Sequence, residues 1–151
     1  MVIYFDWSGT LAKPHNIQQF LFGTNKLDCL YPDTIETLEK LTTNGYILGI
    51  IANMRYSGHH FINALEQSNL KKYFLGAIVC SSDTPYRKPD PMIFEMALRR
   101  DAAEPNNCMM VGNKWETDII GAETIGMHSH FKNTNTFNDL LKLLKNVPSN
   151  Y

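Results

Sequence analysis

The chain predicts an α/β fold, a parallel sheet with helices packed on both faces, and two observations carry that prediction. Five short apolar runs recur along it, at Val2–Phe5 and at residues 46–52, 77–80, 108–111 and, more weakly, 127–131. Amphipathic stretches long enough for helices lie between them, and strands alternating with helices build parallel sheets. The run at 46–52 is apolar at almost every position, as a strand covered on both faces should be.

The helical stretches carry their own punctuation. Ile35, Leu38 and Leu41 fall on one face behind Asp33, and Asp33 with Glu36 reads as a capping box. Glu36 and Lys40 are i,i+4 partners, and Gly45 stands where that helix should end. Asp90 and Pro91 read as an N-cap and first-turn proline for a helix over 92–100. Thr136 is expected to open a last helix, with Leu140, Leu141 and Leu144 inward and Lys142 and Lys145 near its end. Phe61, Tyr73, Phe74 and Phe94 are core candidates that need no cofactor to explain them.

Composition narrows the function classes. The 151 residues suit one domain with its own core. Lys plus Arg number 14 against 15 acids, so a net charge of −1 gives no electrostatic case for binding nucleic acid. Cys29, Cys80 and Cys108 cannot all pair within the chain and form no CxxC, which argues against a disulfide or zinc framework. No apolar run approaches a membrane span, and the start has no basic head of a signal peptide. The expectation is a soluble, reduced, cytoplasmic protein of a single domain over 1–151. His128 and His130 alternate on the last strand without a third ligand, and His59 and His60 point apart on a helix, so neither pair reads as a metal site.

In an open parallel sheet, ligands gather at the carboxyl ends of the strands. The first run ends in Asp6-Trp7-Ser8-Gly9-Thr10 and the second in Ala52-Asn53. Tyr86-Arg87-Lys88-Pro89 follows the third, and the fourth runs into Gly112-Asn113, with Asp118 five residues on. A carboxylate, an amide, a lysine and a second carboxylate around one crevice suit an anion together with a divalent cation. Oxygen donors of this kind suit Mg²⁺, Lys88 offsets phosphate charge, and the Gly9 turn is expected to bring backbone N–H groups to it.

These segments resemble the haloacid dehalogenase-like (HAD) superfamily over nearly the whole chain. Phe-Asp-Trp-Ser-Gly-Thr-Leu is similar to its first motif, and the stretch from Leu-Tyr-Pro-Asp-Thr to Ile-Ile-Ala-Asn to its helix, strand and second motif. Arg-Lys-Pro-Asp-Pro-Met-Ile-Phe resembles the lysine motif, and Val-Gly-Asn-Lys-Trp-Glu-Thr-Asp-Ile-Ile-Gly-Ala the acidic fourth motif. The resemblance implies a three-layer Rossmann-like fold with a five-stranded sheet of order 5-4-1-2-3. It also implies a phosphatase working through an aspartyl-phosphate. Asp6 would be the nucleophile and Lys88 the other catalytic residue. Mg²⁺ would lie on Asp6, the Ser8 carbonyl, Asn113 and Asp118. Ser8, Gly9, Thr10, Asn53 and Lys88 would surround the phosphate.

Three positions depart from the family pattern. Ser8 stands where most of its phosphatases have an aspartate as general acid, and a hydroxyl cannot do that work; such a loss costs roughly 10²–10⁴-fold when the leaving group needs a proton. Ala52 replaces the hydroxyl residue of the second motif, with Asn53 or Ser57 nearby as partial substitutes. Asn113 replaces a metal-binding acid, with Glu116 or Asp118 to compensate. One reading is an enzyme for leaving groups that depart without an acid: aryl phosphates such as phosphotyrosine in a phosphoprotein, acyl phosphates, or phosphonates. The other is a weak or inactive phosphate-binding or scaffold domain. Residues 11–31 are too few for a helical cap, so the site should be open to a large substrate or to closure by another subunit. His15, Asn16, Gln18, Gln19, Phe20 and Phe22 in that insert are the expected substrate-contacting segment, or else an amphipathic surface turn.

Overall fold

The fold is a computed structural model that describes residues 1–145. Its centre is β1 (Val2–Phe5), whose side chains alternate between two layers because successive residues of a strand point to opposite faces. Ile3 and Phe5 enter one core, shared with Leu38 and Leu41 of α2 (Thr34–Thr43), Phe61 and Leu65 of α3 (Gly58–Gln67) and Leu140 and Leu144 of α6 (Asn138–Lys145). Val2 and Tyr4 enter the other, built on α4 (Pro91–Arg100) and the short α5 (Gly121–Thr124).

Every strand pairing is parallel. β1 lies between β2 (Ile47–Ala52) and β4 (Cys108–Gly112), with Phe5 level with Ile50 on one side and Val111 on the other. β3 (Ile78–Cys80) and β5 (His128–Phe131) form the edges, giving the order β3-β2-β1-β4-β5. That is the expected order read from the opposite edge. It brings the carboxyl ends of β1, β2 and β4 side by side.

Local expectations hold at α4, where Asp90 accepts from the Met92 N–H at 2.9 Å, and on α2, where Glu36 and Lys40 pair at 2.8 Å. Two are corrected. Asp33 does not cap α2; its Oδ2 accepts instead from the Phe137 N–H at 2.7 Å, tying the approach of α6 to the start of α2. The last helix accordingly begins at Asn138 rather than Thr136. Cys29, Cys80 and Cys108 are buried free thiols.

Residues 11–31 contain α1 (Ile17–Phe22), one 3₁₀ turn (Lys26–Cys29) and an isolated bridge between Ala12 and Leu30. Within this insert Phe20 is fully buried, its ring 4.6 Å from Trp7 and 6.0 Å from Phe61, so it serves the core and not a substrate. Phe22 is exposed and edges onto Tyr56 and His60. Among the described residues no helix is long and apolar enough to cross a membrane.

Candidate active site

Asp6 is the first residue beyond β1, and its N–H continues the sheet by donating to Val111 at 2.9 Å. Its carboxylate is therefore fixed at the sheet's central rim. Lys88 reaches it from the loop before α4: Nζ donates to Asp6 Oδ1 at 2.9 Å and to Asp118 Oδ1 at 2.7 Å, and all three side chains are buried. Burial works to lower the pKa of Lys88, but the two carboxylates outweigh it and raise it above the ordinary lysine value. Burial pushes the Asp6 carboxyl above the usual carboxylate range. Lys88 opposes that shift, the charge of Asp118 adds to it, and the Trp7 N–H opposes it slightly.

The loop carrying Lys88 is held by Asn53. Its Oδ1 accepts from the Lys88 N–H at 2.8 Å and its Nδ2 donates to the Lys88 carbonyl at 3.0 Å. The side chain expected to bind phosphate thus spends both ends of its amide on Lys88, leaving one N–H for any ligand. Asp118 differs from expectation in a similar way. It lies on the π-helical segment Trp115–Ile120, fully buried, with Oδ1 on Lys88 and Oδ2 accepting from the Lys114 N–H at 3.1 Å. Both oxygens already accept one hydrogen bond from the protein, as both oxygens of Asp6 do.

The turn after Asp6 corrects a third expectation. The Gly9 N–H donates to Ala12 at 2.7 Å and the Thr10 N–H to Trp7 at 3.1 Å, so neither is offered to an anion. Gly9 is needed for other reasons. Its φ is +84°, and a Cβ there would collide with the Asn113 amide. Thr10 is buried, its hydroxyl 3.4 Å from Asp6 Oδ2 and 3.3 Å from the Asn113 side chain. One Asn113 side-chain position lies 3.0 Å from Asp6 Oδ2 and 3.1 Å from the Ser8 carbonyl oxygen. Of the suggested substitutes, Ser57 caps α3 and Glu116 is exposed to solvent.

Two features escaped the sequence reading. Lys132, one residue past β5, is 3% exposed; Nζ donates to the Thr10 carbonyl at 2.9 Å and sits 3.7 Å from the Tyr31 ring centroid and 4.3 Å from that of Phe137. Burial lowers its pKa to about 8, against a smaller opposing effect of Asp33. The only signal for it was a lysine at the end of the last strand. The second feature is a cavity of about 140 Å³ beside Ser8 and Asn53, walled by Trp7, Ile17, Met54, Arg55 and Tyr56. Tyr56 is fixed there by a 2.6 Å hydrogen bond from Gln18 of α1.

A family model described as haloacid dehalogenase-like hydrolase matches residues 8–132. The chain belongs to this family. It is 34% identical over 114 residues to a glyceraldehyde 3-phosphate phosphatase of Methanothermobacter thermautotrophicus, covering 69% of this chain and 45% of that protein. It is 33% identical over 118 residues to a phosphoglycolate phosphatase of Vibrio cholerae, covering 76% and 50%. The HAD chain thus spans about half the length of the curated relatives it matches. Among solved structures, a HAD phosphatase from Thermococcus onnurineus superposes with a TM-score of 0.74 at 22% identity, over 95% of this chain and 97% of that one, a likeness of fold.

Among the described residues no three His, Cys, Asp or Glu side chains converge as a metal site. Asp6 Oδ2, the Ser8 carbonyl and the Asn113 amide do converge, at separations of 3.0 and 3.1 Å from Asn113. Carboxylate, carbonyl and amide oxygens are hard donors, and a magnesium ion that keeps several waters needs few of them. The residues present fit that ion.

Proposed function

We propose that this HAD chain is a Mg²⁺-dependent phosphatase that works through an aspartyl-phosphate on Asp6. The observation that carries the reading is the buried array in which Lys88 bridges Asp6 and Asp118 beside the Ser8 carbonyl and Asn113. An Asp6 carboxylate oxygen attacks phosphorus and the bond from phosphorus to the leaving-group oxygen breaks. Water then attacks the phosphorus of the acyl phosphate, releasing inorganic phosphate and restoring Asp6. Lys88, held charged by two acids, supplies fixed positive charge next to the phosphoryl oxygens. Asp6, Ser8 and Asn113 would hold the magnesium ion, which when bound would neutralise phosphate charge.

The Ser8 hydroxyl is far too weak an acid to protonate the leaving group near neutral pH, so the leaving group should be one that departs as a stable anion. Aryl phosphates, including phosphotyrosine on a macromolecule, meet that condition. The cavity beside Ser8 has aromatic and apolar walls in Trp7, Tyr56, Ile17 and Met54 that suit a ring. The short insert leaves the mouth open to a large substrate. A second reading, phosphate binding with little turnover, has Ser8 and the buried Ala52 in its favour.

The test is hydrolysis of a generic aryl phosphate with Mg²⁺ by the wild type and Asp6→Asn. Metal-dependent turnover lost in the variant supports the phosphatase, and phosphate binding without turnover supports the second reading. Alkyl phosphates, the class to which glyceraldehyde 3-phosphate and phosphoglycolate belong, should turn over more slowly than aryl phosphates. Equal rates would remove the aryl preference.

A further inference from the structure

The Asn113 side chain meets its surroundings differently in its two orientations: nitrogen inward, both ends of the amide find complementary partners, whereas oxygen inward, its NH₂ is turned toward donors, a mismatch that only a ligand on the oxygen can offset. Its inward atom lies 3.0 Å from Asp6 Oδ2, 3.1 Å from the Ser8 carbonyl oxygen and 3.3 Å from Thr10 Oγ1. All three neighbours are oxygens. If the amide oxygen is inward, it meets a carboxylate and a carbonyl with no proton to share, and only the Thr10 hydroxyl can donate to it. If the nitrogen is inward, its N–H groups donate to Asp6 Oδ2 and Ser8. With no cation present, the second arrangement satisfies the site.

The same spacing also suits the first arrangement once a cation is present. Oxygens ligating Mg²⁺ at 2.0–2.1 Å in an octahedron lie about 2.9 Å apart along an edge, close to the separations here. We propose that the Asn113 amide is a two-position element. Nitrogen inward, it stands in for the cation by holding Asp6 Oδ2 and the Ser8 carbonyl; oxygen inward, it joins them as a ligand. Cation binding and rotation of this amide are then one event, resting on the metal-dependent reading above. With the nitrogen inward the nucleophile is paired on both sides, Oδ1 with Lys88 and Oδ2 with Asn113. An aspartate at 113 can fill only the ligand role, because a carboxylate cannot donate to Asp6. The amide thus keeps the empty site paired and gives up cation affinity to do so.

The experiment titrates Mg²⁺ into ¹⁵N-labelled protein without substrate, while calorimetry records binding. The Asn113 side-chain NH₂ signals, assigned by their loss in Asn113→Asp, should move as the site fills and exchange faster with water at saturation. Metal-free Asn113→Asp should melt below the wild type, gain more stability from Mg²⁺, and bind it about tenfold more tightly through its extra charge. Should that variant fold only with Mg²⁺ present, the same conclusion follows. NH₂ signals that stay still while calorimetry records Mg²⁺ binding would overturn the two-position amide and leave the metal-dependent reading standing. A metal-free variant as stable as the wild type would likewise overturn it. No binding of Mg²⁺ at millimolar concentration would overturn the metal-dependent reading itself, and this proposal with it.

Discussion

Asn53 holds the main chain of Lys88 from both sides, accepting from its N–H at 2.8 Å and donating to its carbonyl at 3.0 Å. The residue just past β2 thereby sets where the buried ammonium of another loop stands. Asn53→Ala leaves two main-chain groups of a half-buried segment without partners, a cost of about 1–3 kcal/mol each where water cannot replace them. Thermal melting should show a loss in that range. Turnover should fall as well, because the loop that positions Lys88 loses its anchor and the cavity loses one of its polar walls. An unchanged melting temperature would show that the loop holds itself.

Lys88 is the counter-charge of two buried acids. Lys88→Met should cost about 3–5 kcal/mol, the usual penalty for leaving a buried ion unpaired. Adding Asp118→Asn removes one of the stranded charges, so the double variant should be more stable than Lys88→Met alone. Chemical denaturation of both single variants and the double closes the cycle. Simple additivity would mean that Asp118 and Lys88 do not depend on each other.

Gly9 and Gly45 have almost the same backbone, with φ of +84° and +88°, yet a Cβ at Gly45 meets open space while one at Gly9 strikes the Asn113 amide. Gly45→Ala should cost only the left-handed strain, about 1 kcal/mol. Gly9→Ala should cost clearly more and weaken Mg²⁺ binding as well. Equal losses of stability would show that Asn113 moves aside freely.

Lys132 gives a pH signature. Its folded pKa of about 8 lies below the ordinary 10.5 because burial disfavours the charge. Between these values the unfolded chain binds more protons than the folded one, so this residue makes stability rise with pH across that window. Burial shifts Tyr4 and Cys80 upward, which acts in the opposite sense at alkaline pH. The measurement is therefore the difference between the wild type and Lys132→Met, followed by denaturation from pH 7 to 10.5. That difference should move in favour of the wild type as pH rises, and a flat difference would contradict the burial of the charge.

The parts of this protein legible in its sequence are those that repeat or travel in order. Apolar runs gave β1 to β4 to within a residue, because burial of both faces leaves few polar positions in them, whereas the edge strand β5, His-Ser-His-Phe and only partly buried, gave the weakest signal. The four motif segments predicted which loops meet, and Asp6, Lys88 and Asp118 do meet. What stayed hidden is how hydrogen bonds are distributed. Asn53, Asp118 and the Gly9 and Thr10 N–H groups have the right chemistry for a ligand, but each is committed to a protein partner. Such choices depend on angles of a few tens of degrees and not on residue type. Asp33 shows the same effect, leaving its own helix to receive Phe137 from a segment 104 residues away. Lys132 was invisible because its neighbours Thr10, Tyr31 and Phe137 assemble only in the folded state.

With every strand running the same way, all the chemistry gathers on one rim of the sheet and the return turns lie on the other. Asn44–Gly45, Ala102–Ala103 and Ile125–Gly126 are such turns, each leading into β2, β4 or β5 from below. Lengthening a surface loop carries little entropic penalty, about 0.6 kcal/mol per doubling. Reporter groups, affinity handles or relocated chain ends can be grafted on that lower side, leaving the upper rim undisturbed.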